Sequence, residues 1–146
     1  MKKVLFVFLF VVVGFSVFAN DWATIEAERI IRDFGRLEGL LGQTVPAGFY
    51  RIGHNRFRGP DGQTIVTVGA NDRINAILSG TTFWTNGEAV RFAGLMHSFV
   101  ERNGGRLVQV YADGTSYHKR NLHVRIANPR RHPDGNFTSG IIIARW

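Results

Sequence analysis

The sequence contains no cysteine, so no disulfide can staple it and its fold must stand on a buried apolar core. That demand is sharper because of how the chain begins. Lys2 and Lys3 precede an apolar run from Val4 to Phe15, followed by Ser16-Val17-Phe18-Ala19, the layout of a secretory signal peptide. Val17 and Ala19 suit the small-residue positions before a cleavage point, so residues 1–19 are expected to be removed between Ala19 and Asn20. The run is short of the roughly 20 apolar residues that span a bilayer. The expectation is an exported protein, periplasmic or secreted, with one domain over residues 20–146. Its 127 residues are enough for a core without staples, and Trp22, Trp84, Trp146, Tyr50, Tyr111 and Tyr117 offer large side chains to build it.

Two segments have helical periodicity. Ala23, Ala27, Ile30, Ile31, Phe34, Leu37 and Leu41 recur at helix spacing, with Asn20 or Asp21 as cap and Gly42 as stop. Its polar side interleaves Glu28, Arg29, Arg32 and Asp33, spaced for i,i+4 pairs. Ala89, Phe92, Ala93, Met96, Phe99 and Val100 form a second stripe, capped by Asn86 and closed by Gly104-Gly105. Between them Phe49 to Phe57 and Thr64 to Val68 read as strands joined around Gly59-Pro60-Asp61-Gly62, and Ile74 to Leu78 as a helix of two turns. Strands follow at Arg106 to Tyr111, Ser116 to Ala127 and Phe137 to Trp146. Ile141-Ile142-Ile143, apolar on both faces, predicts an interior strand covered on both sides. The expected class is α+β, an antiparallel sheet of about five strands packed against two long helices and one short helix.

Without the leader, 16 basic residues stand against 11 acidic ones, and fifteen of the sixteen are arginine, Lys119 being the exception. Arginine's planar fork suits phosphate or carboxylate, although the same bias also serves solubility. The densest cluster is Ser116 to Arg125, S-Y-H-K-R-N-L-H-V-R. On one regular strand, Leu122, Val124 and Ile126 point inward with His118 and Arg120, while Lys119, Asn121, His123 and Arg125 point outward. His118 and His123 then face apart, unless a bulge or turn near Arg120-Asn121 reverses the register. The outward set, joined by Arg130 and Arg131 and by Tyr117 as a stacking ring, is a basic face fit for phosphate backbones or for acidic envelope groups.

Candidate chemistry centres on His123, with its partner in proton transfer to come from His97 or Glu101, one helical turn apart, or from His54. No metal site follows from the spacing of the histidines and carboxylates, no dinucleotide or phosphate-loop motif occurs, and no cofactor is expected. Phe49-Tyr50-Arg51, Thr81-Thr82-Phe83-Trp84-Thr85 and the strand Leu107 to Tyr111 resemble the ADP-ribosyltransferase toxins, in which a strand arginine and a polar-aromatic strand frame nicotinamide. That family also uses a glutamate on a late strand, and this chain has none after Glu101. Two functions are therefore expected: a non-catalytic module that binds an anionic or polar partner, nucleic acid included, or a small secreted enzyme, a metal-independent ribonuclease or related transferase.

Overall fold

A computed structural model describes residues 21–145; the expected leader lies outside them. Helix α1 (Trp22–Leu40) starts where the Asp21 carboxylate accepts the Thr24 amide. Four strands follow, β1 (Tyr50–Gly53), β2 (Arg56–Arg58), β3 (Thr64–Val68) and β4 (Ile74–Phe83), then helix α2 (Asn86–Arg102). The second half holds β5 (Arg106–Tyr111), β6 (Gly114–Lys119), β7 (Leu122–Ala127), β8 (Arg130–Arg131) and β9 (Phe137–Arg145). The class is α+β, as expected, but the antiparallel sheet has nine strands rather than about five, in the order β1-β2-β3-β4-β9-β7-β6-β5 with β8 beside β9.

Four differences account for the change, one of them the unexpected two-residue strand β8 beside β9. The run Phe49 to Phe57 turns back on itself at His54-Asn55, giving β1 and β2. Ile74 to Leu78 is no helix but the first half of β4, because Val66 and Ile65 of β3 and Ile143 and Ile142 of β9 offer it partners on both edges. Ser116 to Ala127 is not one strand either: a two-residue turn at Arg120-Asn121, with Arg120 at φ 58, folds it into β6 and β7.

Both helices cover one face of the sheet. Ala27, Ile30, Phe34 and Leu37 of α1 and Phe92, Met96 and Val100 of α2 pack on Val66, Ile77, Leu122, Val124, Ile126, Ile141 and Ile143, all buried. Phe34 meets Phe99 edge-on at 5.3 Å and joins the helices. Aliphatic residues and Phe build this core; Trp84 is 82% exposed, and of the tyrosines only Tyr117 is buried. The expected i,i+4 pairs on α1 give way to i,i+3 pairs, Glu26 with Arg29 and Asp33 with Arg36. Thr85, not Asn86, caps α2, its hydroxyl accepting the Glu88 amide. Strand β9 is interior, between β4 and β7, yet Ile142 is only half-buried, since neither described helix covers its face. Among the described residues no helix is long and apolar enough to cross a membrane.

Candidate functional site

The β6–β7 turn decides which side chains share a face. In an antiparallel pair, directly opposed residues point the same way. Tyr117 opposes Val124, and Lys119 opposes Leu122, so both lie on the helix-covered face. Ser116 opposes Arg125 and His118 opposes His123 on the open face, with the two imidazole centroids 5.9 Å apart. The expectation for one regular strand is thus reversed along β6: His118 joins His123, Tyr117 turns inward, and Lys119 leaves to stand over the Phe34 ring at 5.8 Å. Arg130, opposite Thr138, is on the open face, whereas Arg131, opposite Phe137, is not.

His97 and His123 do not converge, because α2 covers the far side of the sheet. His97 instead bonds Tyr117, Nδ1 to hydroxyl at 2.7 Å, and the Tyr117 hydroxyl donates to Glu101 Oε1 at 3.0 Å. A phenol has one proton to give. With that proton on the Glu101 bond, the Tyr117 oxygen accepts from His97, which fixes the hydrogen on Nδ1 of a neutral imidazole. Burial holds His97 below its ordinary pKa of 6.5, against an opposing pull from Glu101. Burial, reinforced by the bond to Glu101, pushes Tyr117 up to about 12.

This cluster is a clasp between α2 and β6. Tyr117→Phe is expected to cost about 1 kcal/mol, the net worth of a hydroxyl network with one solvent-exposed member, read from urea unfolding. Because the folded-state pKa of His97 lies below the unfolded value, the unfolded chain binds its proton more readily. Stability is therefore lost as pH falls from 6.5 through the lower folded-state value, and His97→Gln should flatten the fall in the unfolding midpoint between about pH 7 and pH 5.

The open face is arranged in rows across the sheet. One row runs Arg58, Ile65, Leu78, Ile142, Arg125 and Ser116. The next runs Arg56, Thr67, Ala76, Ala144, His123, His118 and Arg106. On the other side of the first row, Gly80 opposes Gly140 and Thr82 opposes Thr138. Here the face sinks into a cleft of about 870 Å³, with Arg58, Arg130, Asn128 and Trp22 around Gly80, Gly140, Thr82 and Thr138. The Trp22 indole donates to the Thr82 carbonyl at 3.1 Å and ties α1 to this margin. His132 Nε2 lies 2.8 Å from the Thr138 hydroxyl. The Arg58 Nε is buried without a hydrogen-bond partner among the described residues.

Charge is segregated by layer. None of the eleven carboxylates of the chain lies on a strand; all are on the helices, their caps or the turns. The strands carry Arg51, Arg56, Arg58, Arg106, Arg125, Arg130, Arg131, Arg145 and Lys119. Asp113, in the β5–β6 turn, pairs with Arg125, whose guanidinium also stacks on Tyr111 at 4.7 Å. Arg51, the strand arginine of the transferase resemblance, lies with Phe57, over its ring at 5.4 Å, away from the open face. Tyr50, opposite Arg58, and Tyr111, opposite Gly114, are exposed rings on the open face, the place expected for Tyr117.

Sequence reading missed Arg58, although Arg56-Phe57-Arg58 holds the signal. With Phe57 turned to the core, both flanking arginines must face out on the same side. Among the described residues no group of three or more histidine and carboxylate side chains is placed to hold a metal ion. No protein family, curated protein or solved structure matches the chain.

Proposed function

We propose that the protein is an anion-binding module that takes a phosphate-bearing chain across the open face of its sheet. The layered segregation of charge is the observation that carries this reading: a wide antiparallel sheet bare of carboxylates presents arginines from β2, β5, β7 and β8 to one side. Coulomb attraction to a polyanion then has no acidic strand residue to oppose it, and released counterions supply affinity. Tyr50 and Tyr111 add surfaces on which unpaired bases stack. Arg58 and Arg130 both line the cleft, which supports it as a contact for the anion, since a guanidinium forms charge-assisted hydrogen bonds with an anionic acceptor.

The test is fluorescence anisotropy with a labelled single-stranded thymidine oligonucleotide, titrated at several salt concentrations. Affinity should fall linearly on a log-log plot against salt. Arg58→Gln and Arg130→Gln should each weaken binding by about 3- to 10-fold and make the salt slope shallower by roughly 0.7. Arg32→Gln, on the exposed side of α1, should change the affinity less than twofold. Equal effects at Arg32, Arg58 and Arg130 would remove the open face as the binding surface.

A further inference from the structure

The hairpin that brings His118 and His123 together makes more of the open face than a binding surface. A two-residue turn closes on a hydrogen-bonded pair, here Lys119 and Leu122, so His118 and His123 occupy the following non-hydrogen-bonded pair. That is where opposed Cα atoms come within roughly 4.5 Å and side chains stand closest. Their rings meet edge to face with centroids 5.9 Å apart. Arg106 stands opposite His118 on β5, and Ala144 stands opposite His123 on β9 with Ala76 beyond it. Two imidazoles, a flanking guanidinium and a floor of two methyl groups therefore share one row. Arg106, exposed on β5 beside the histidines, is placed for the charge of a phosphate.

We propose that His118 and His123 are a base and acid pair that cleaves RNA bound on the open face, without a metal. The inference rests on the polyanion reading and adds the substrate class, a phosphodiester with a neighbouring 2′-hydroxyl. His118 takes the 2′-hydroxyl proton as O2′ attacks phosphorus and the O2′–P bond forms. The P–O5′ bond breaks, and the imidazolium of His123 gives its proton to the departing 5′ oxygen. The products are a 2′,3′-cyclic phosphate and a 5′-hydroxyl; one proton enters the pair and one leaves it, and no oxidant or co-substrate is consumed. Arg106 faces the charge that builds on the non-bridging oxygens. Partial burial, and after it the positive fields of His123 and Arg106, hold His118 below its ordinary pKa, which keeps it in the neutral form a base requires.

The experiment uses a labelled DNA oligonucleotide carrying one ribonucleotide, in chelator, with the purified protein in saturating excess so that the rate reports chemistry rather than affinity. Cleavage is expected only after the ribonucleotide, leaving a 2′,3′-cyclic phosphate, and His118→Gln and His123→Gln should each slow it at least 100-fold. The all-DNA oligonucleotide should be bound and left intact. A ribonucleotide substrate that is bound but uncut overturns the catalytic inference and leaves the binding reading standing, as does cleavage that survives in both variants. Failure of the wild-type protein to bind either oligonucleotide overturns both.

Discussion

Phe92→Ala is expected to lower the free energy of unfolding by about 3–5 kcal/mol, the range for removing a fully buried aromatic ring. Phe92 has no exposed surface and its ring lies 5.2 Å from that of Phe83, which is equally buried. The pair sits where β4 ends and α2 begins, so the vacated space is bounded by a strand and a helix that are covalently joined and cannot close on it freely. Domains of this size hold roughly 5–15 kcal/mol in total. The variant should therefore unfold at a much lower urea concentration. Phe83 follows Thr82, whose carbonyl holds Trp22 at the cleft margin, so Trp22 fluorescence should register the loosening before the global transition.

Gly140→Ala is expected to cost about 2–3 kcal/mol although it adds one methyl group, an overpacking effect. A Cβ at Gly140 would lie 2.8 Å from the Ser79 carbonyl oxygen and 2.9 Å from the Gly80 Cα. Both are backbone atoms of the neighbouring central strand, so relief requires β4 and β9 to move apart at the middle of the sheet. Gly80 and Gly140 both line the cleft, and the variant should lose oligonucleotide affinity as well as stability. Gly94→Ala supplies the contrast. Gly94 is exposed within α2 and a Cβ there meets nothing within 4 Å, so the substitution should stabilise the protein by about 0.5–1 kcal/mol through helix propensity. Thermal unfolding of the two variants reads both signs in one experiment.

The site was legible in the sequence only in part. Arg125 and Arg130 reach the open face as expected, because the alternation of Leu122, Val124 and Ile126 fixes the outward side of β7 and Arg130 follows close behind. Tyr117 and Lys119 do not, and the cause is a parity change of local origin. Two residues in a tight turn reverse the chain, after which odd and even positions exchange faces. An Arg120-Asn121 turn has no glycine to announce it. His97 was separated from His123 by a different cause: helical periodicity shows which stripe of α2 is buried, but not which face of a distant sheet it is buried against.

By itself, the sequence determined both long helices, the outward face of β7, the hairpin around Gly59 to Gly62 and the α+β class. Each rests on interactions within a few residues: periodicity, caps and turn chemistry. Only the tertiary structure decided that β9 threads between β4 and β7, that Ile74 to Leu78 is strand, and that Arg58, Arg130, His118 and His123 meet on one surface. Strand pairing joins residues some sixty positions apart, such as Gly80 and Gly140. The hydrogen bonds that select those partners leave no periodic trace in either segment, since a short apolar run can be buried as a helix or as a strand until its neighbours are in place.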